Sequence, residues 1–232
     1  MSLKRSLRVQ TLLVSLLVSL MSIVLLGVLL HTPHSAMTLG KELLEINSAA
    51  TQSANAVTSV VTYFRGLDTL GEVSILFLSI FGLSLGIKKH ERNIFSFDNA
   101  LLKIGTKVLF PLILLFGIYI ILHGHLSPGG GFQGGVIIAS GFLLLFLTHG
   151  DDYHLSERII KLVEALSGAG FILVGVLGLI VTGRFFENFL PLGEIGTLFS
   201  GGVLEIIYIF VGLKVAAEIA AMAELFIKAE HA

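Results

Sequence analysis

"GIYIILHGHLSPGGGFQGGVIIASG", Gly117 to Gly141, is two apolar runs interrupted by a proline, a cluster of glycines and two histidines. Pro128 lacks the amide hydrogen that a helix interior needs, and Gly129, Gly130 and Gly131 reach backbone angles that other residues avoid. One helix must therefore end here and another begin after a tight turn. Followed outward, the apolar runs reach Gly105 on one side and Thr148 on the other. Each comes close to the roughly 20 residues that a bilayer crossing requires. Gly131 and Gly135 stand four apart at the start of the second helix, with Gly134 beside them. That spacing lets membrane helices approach at backbone distance. A phosphate-binding loop is a poor reading, because no Gly-Lys-Ser/Thr ending is present and an apolar helix, not a strand, precedes the glycines.

The rest of the chain agrees with a membrane setting. Its 232 residues are 54% hydrophobic and 13% charged, with a mean hydropathy of +0.92, far from a soluble domain. A net charge of -1 leaves no basic face for nucleic acid. The lack of cysteine excludes disulfides, iron–sulfur ligation and thiol chemistry in this chain. No cofactor is expected, and no nucleophile–base constellation or metal cluster marks a catalytic site.

Six stretches qualify or nearly qualify as spanning helices: Val9 to Leu30, Thr69 to Ile87, Gly105 to His123, Phe132 to Thr148, Ile159 to Val181 and Thr197 to Ala217. The expected fold is an all-α integral membrane protein of about six helices, with the glycine-rich break between helices three and four. The first span is too long for a signal peptide and lacks a good cleavage site, so it is expected to be retained. Lys4, Arg5, Arg8, Lys88, Lys89, Arg92, Lys103, Lys107, Arg158, Lys161, Lys214 and Lys228 fall at one side of this layout, and only Lys41, Arg65 and Arg184 at the other. By the positive-inside rule both termini are cytoplasmic, in a multi-pass protein of the cell (inner) membrane. The charged stretch Lys88 to Lys103 divides residues 1–95, a two-helix region with an external segment at 31–66, from a four-helix domain at 96–232. In the external segment Leu39, Leu43 and Ile46 share one helix face, which fits an amphipathic helix; a solvated linker fits as well.

Charged residues inside such a chain call for partners or a function. Arg65, Asp68 and Glu72 lie at i, i+3 and i+7, on one face of a helix. Glu72 is drawn into the bilayer, where a lone carboxylate is costly, and the stripe reads either as an ion path or as a satisfied interhelix contact. Glu205, placed near the middle of the sixth span beside Gly201 and Gly202, reads equally as a sodium or proton site or as a neutral acid bonded between helices. Transient sodium at Glu72 or Glu205 is the extent of the expected metal binding. His123 and His125, two apart, point to different helix faces and suit carbonyl capping or proton movement better than a shared metal. Lys107 reads as a lysine snorkelling to the surface, with a pathway lysine as the rival. Glu164 is expected to pair with Lys161, and the pairs Lys214–Glu218 and Glu224–Lys228 to form a solvated face. Glu194, eleven residues before Glu205, shares its face if the sixth helix extends that far.

"GHLSPGGGFQGG", Gly124 to Gly135, resembles the signature of the B subunit of Mrp-type multisubunit sodium/proton antiporters and of its counterpart in membrane-bound hydrogenases. His123 stands where that family often has a basic residue. "FRGLDTLGE", Phe64 to Glu72, resembles the end of the large antiporter A subunit, which is a separate small E subunit in the hydrogenase complexes. The resemblance runs from about Asn55 to the C-terminus and implies an E-like part fused to a B-like part. It implies an accessory membrane subunit that works beside large antiporter-like subunits in sodium/proton transport. The alternatives are the same module in a redox-driven hydrogenase or sulfur-reductase complex with a peripheral arm, where the chain is a non-catalytic subunit, or a purely structural adaptor. Carried over by motif, Asp68 and Glu72 are ion-pathway carboxylates with Arg65 as charge partner. His125, Pro128, Gly129, Gly130, Gly131, Gly134 and Gly135 form the B-type signature.

Overall fold

The computed structural model describes residues 36–86, 100–150 and 155–229, with scattered positions between 15 and 30. Most of the first expected span, and Lys4, Arg5, Arg8, Lys88, Lys89 and Arg92, lie outside the described residues. The chain divides into two compact units, Met1–Leu43 and Leu44–Ala232. All of the site residues discussed below belong to the second.

Among the described residues all regular structure is helical: α1 (Ala36–Thr51), α2 (Ala56–Ser59) running into a π-helical turn at Val60–Phe64, α3 (Gly66–Gly86), α4 (Ala100–Leu122), α5 (Gly131–His149), α6 (Glu157–Thr182) and α7 (Val203–Ala229). Five of these, α3 to α7, are long and apolar enough to cross a membrane. In lipid, apolar residues gain little by leaving the solvent for a neighbour, so tight packing through small residues decides which helices touch. α7 is the hub: half of its most apolar window is buried, against 17% for α3 and for α4. Val203, Ile207, Val211 and Val215 of α7 pack with Val73 of α3 and with Phe171 and Val174 of α6. On its other side Leu204, Tyr208 and Ala216 meet Ile121 of α4 and Ile138 of α5.

Two expectations are corrected. The sixth span does not begin at Thr197: α7 starts at Val203 and its apolar window runs to Ile227. Gly202 holds φ +61, a left-handed angle that breaks the helix ahead of Val203. Asn188 then caps the new start, its Oδ1 accepting from Val203 N at 3.2 Å and its Nδ2 donating to Gly201 O at 3.3 Å. Residues between α6 and α7 fold back on the bundle, with Phe186 buried and stacked on Phe171 at 4.9 Å. The external segment is helical in α1, but the buried positions there are the polar Asn47 and Thr51, while Ile46 of the expected apolar face is exposed. Apolar spacing misleads here because hydrogen bonding, not apolar burial, docks this end of the helix.

Candidate functional site

The glycine-rich turn is built from three directions. α4 closes with Leu126 N and Ser127 N both donating to His123 O at 2.9 Å. Gly130 then adopts φ +137, open to glycine and strained for other residues, and α5 begins. A Cβ on Gly131 would stand 2.5 Å from Tyr208 O, one on Gly135 2.7 Å from Gly212 O, and one on Gly134 2.6 Å from Gly117 O. The glycines thus bring the α5 backbone against both α7 and α4. From the third side Asn55 Nδ2 donates to Gly124 O at 3.0 Å and to Ser127 O at 2.9 Å. Asn55 N and Ser53 Oγ donate to His125 O at 2.9 and 2.8 Å. Behind them Asn47 Nδ2 donates to Ser53 O at 2.9 Å, and Thr51 and Ser59 share a hydroxyl bond of 2.8 Å. Sequence reasoning misses this polar tether; its signal is the run "TQSANAVTS", where Asn55 also caps α2.

Inside the turn, His125 is fully buried. Its Nε2 lies 3.3 Å from Glu205 Oε1 and donates to Thr197 O at 3.3 Å. Glu205 Oε1 also accepts from Gly201 N at 2.8 Å. Glu205 therefore sits in the first turn of α7, at the turn end of the bundle, and not at mid-helix as expected. There a carboxylate is favoured by free amide groups and the helix dipole. Glu194 lies outside α7, exposed in the preceding loop, so it shares no helix face with Glu205. His123 takes another side: its Nδ1 donates to Tyr119 O at 3.0 Å and its ring stacks on Tyr119 at 4.0 Å. The two histidines thus take different partners, both in the turn that follows the end of α4 at Leu122 rather than on a helix face.

A second ion pair lies about midway along α7. Lys214 Nζ is 2.6 Å from Glu218 Oε1, with side-chain exposures of 11% and 0%. The expected solvated face is thus buried. The error follows from the helix start: with α7 beginning at Val203 rather than Thr197, Lys214 moves from the span's end to its middle. Lys161 pairs with Glu157 at 3.8 Å rather than with Glu164, and the Lys228 side chain, expected beside Glu224, lies outside the described residues.

Arg65 and Asp68 form the expected ion pair, both partly exposed. Glu72 is exposed on α3 and lines a groove of about 860 Å³ with Thr58, Thr69, Gln133 and Tyr208, beneath Pro128 and Gly129 of the turn. Glu72, alone of the Arg65–Asp68–Glu72 stripe, thereby borders one groove with the glycine-rich turn, far from it in sequence. Lys107 is exposed on α4 and does not line this groove.

Residues 101–221 match the family described as domains related to the MnhB subunit of Na+/H+ antiporters. An uncharacterized protein of Methanocaldococcus jannaschii is 32% identical over 200 residues, 74% of this chain and 76% of its own. The B subunit of the Na+/H+ antiporter of Bacillus subtilis is 37% identical over 84 residues, 36% of this chain and 52% of its own. Among solved structures, a chain of the membrane-bound sulfane sulfur reductase, an archaeal respiratory membrane complex, superimposes with a TM-score of 0.76. It is 36% identical, over 94% of this chain and 98% of that one.

Proposed function

Because this chain belongs to the family of domains related to the MnhB subunit of Na+/H+ antiporters, we propose that it is an accessory membrane subunit of an Mrp-type ion-translocating complex. It is a multi-pass protein of the cell membrane, oriented with both termini in the cytoplasm, and its partners are the other membrane subunits, large antiporter-like ones among them. The observation that carries the reading is the reach of the family match, which covers most of α4 to α7 and the turn that locks them together. Residues 1–95 act as the E-like part and 96–232 as the B-like part of the fused module.

In this reading Asp68 and Glu72 supply ion-pathway carboxylates, with Arg65 setting the local charge. What supports this is that Glu72 lies within a span, on an open groove whose other walls carry hydroxyls and an amide. The expected result is that Glu72→Gln abolishes sodium-dependent proton movement in vesicles bearing the assembled complex. Normal transport by the assembled variant would remove Glu72 from the path.

A second reading has the same module driven by redox chemistry in a peripheral arm. It is favoured by the end-to-end likeness to the sulfane sulfur reductase chain, where the Bacillus subtilis antiporter protein aligns over 84 residues. Gentle purification with identification of co-purifying subunits and assay of iron and nickel separates the two. Antiporter-like subunits alone mark a secondary antiporter, and the same subunits with iron–sulfur proteins mark a redox-driven pump.

A further inference from the structure

Lys214 and Glu218 are the most deeply placed charged pair among the described residues, and neither the family signature nor the groove at Glu72 involves them. Glu218 shows no exposed side-chain surface, and its Oε2 accepts no hydrogen bond among the described residues. Lys214 Nζ lies 5.1 Å from the centre of the Phe77 ring of α3. Its stem runs past Gly168 of α6, where a Cβ would stand 3.6 Å from Lys214 Nζ. Lys214 lines a cavity of about 950 Å³ between α3, α6 and α7, in the half of the bundle away from the glycine-rich turn, and Glu218 reaches that cavity through its contact with Lys214. The charged groups facing this cavity are Glu157, Lys161 and Glu164 from α6 and Glu224 from α7; α3 adds only the hydroxyls of Ser74 and Ser84.

A structural role explains this arrangement poorly. Two well-packed apolar residues would hold α7 against α6 at least as well as a buried pair, because removing both charges from water costs about as much as their attraction returns. A carboxylate with a single cationic partner and an unfilled lone-pair side is instead suited to take up and release a proton.

We propose that Lys214 and Glu218 form a proton-exchange site, fed through the α3–α6–α7 cavity by way of Glu164. The inference rests on the reading that this chain works in an ion-translocating complex. A proton entering by the cavity forms an O–H bond at Glu218, leaving a neutral carboxyl beside the Lys214 ammonium. Release of that proton restores the ion pair, and no electron moves. The lysine, relieved of its partner in the protonated state, is left facing the acidic lining of the cavity, Glu157, Glu164 and Glu224.

The test uses the whole complex. Dicyclohexylcarbodiimide adds to protonated carboxyls in apolar surroundings. Applied to the unaltered complex over acid to alkaline pH and followed by peptide mass mapping, it is expected to label Glu218, less so as pH rises. Absence of label at every pH overturns the site without any variant having to fold. The double variant Lys214→Met with Glu218→Leu keeps the packing. Assembled in vesicles, it is expected to lose transport by about tenfold or more, whereas transport at the unaltered rate overturns the proposal. An unaltered complex that moves no ions sinks the broader reading instead, which keeps the two failures apart.

Discussion

Two glutamates on α7, Glu205 and Glu218, each sit within 3.3 Å of a basic side chain, yet their surroundings are opposite. Glu205 opens the helix, accepts from Gly201 N at 2.8 Å and shares His125 with a backbone carbonyl. Around it, Ser53 and Asn55 fasten the turn by further bonds. Glu218 stands deep in the bundle with Lys214 as its partner, and it is Lys214 that lines the neighbouring cavity. The first pair belongs to a region over-determined by backbone contacts; the second depends on one contact that a proton can undo. Rigidity at the turn and responsiveness at mid-helix are therefore written into the number of donors each carboxylate meets.

Breaking the rigid end is expected to have the largest effect. Gly131→Leu drives a side chain into the Tyr208 carbonyl, where even a Cβ would stand at 2.5 Å. The variant should fail to appear in the assembled complex, a cost above the roughly 1–3 kcal/mol of ordinary overpacking; its recovery in co-purification checks this. Glu218→Ala comes next. It leaves the Lys214 ammonium buried without a counter-charge, an expected loss of about 3–5 kcal/mol, while the apolar double variant costs far less. Thermal unfolding of the two purified complexes measures the contrast, and equal losses would mean that the pair is ordinary packing. Asn55→Ala removes the bonds to Gly124 O and Ser127 O and the cap on α2. About 1–3 kcal/mol is expected, seen as faster amide exchange in the turn but unchanged exchange around Lys214. The smallest effect belongs to Arg65→Ala: an exposed pair with Asp68 contributes below about 1 kcal/mol, so stability should hold, and any large loss of transport would then reflect the ion path.

The regions differ in how readable they are. Pro128 and the glycines announce the turn because their backbone chemistry is local, and Gly131 with Gly135 announces close packing by spacing alone. Arg65 and Asp68 pair as their three-residue spacing requires. The polar tether is harder to read, since Ser53 and Asn55 look like linker residues until the turn supplies carbonyls 69 and 72 positions away. Glu205 and Lys214 are both misplaced along the sixth span for one reason: hydropathy smooths over the break at Gly201 and Gly202, where the helix begins.

Hydropathy and motif determined that the chain crosses a membrane by apolar helices, turns at Pro128 and belongs with the MnhB-related subunits, because each of these follows from neighbours along the chain. Tertiary structure alone decided which charges are buried. A lysine and a glutamate four residues apart look the same on a wet helix face and in a bundle core. The outcome depends on where α7 starts, which Asn188, 15 residues before Val203, fixes by capping it, and on which helices then close around Lys214 and Glu218.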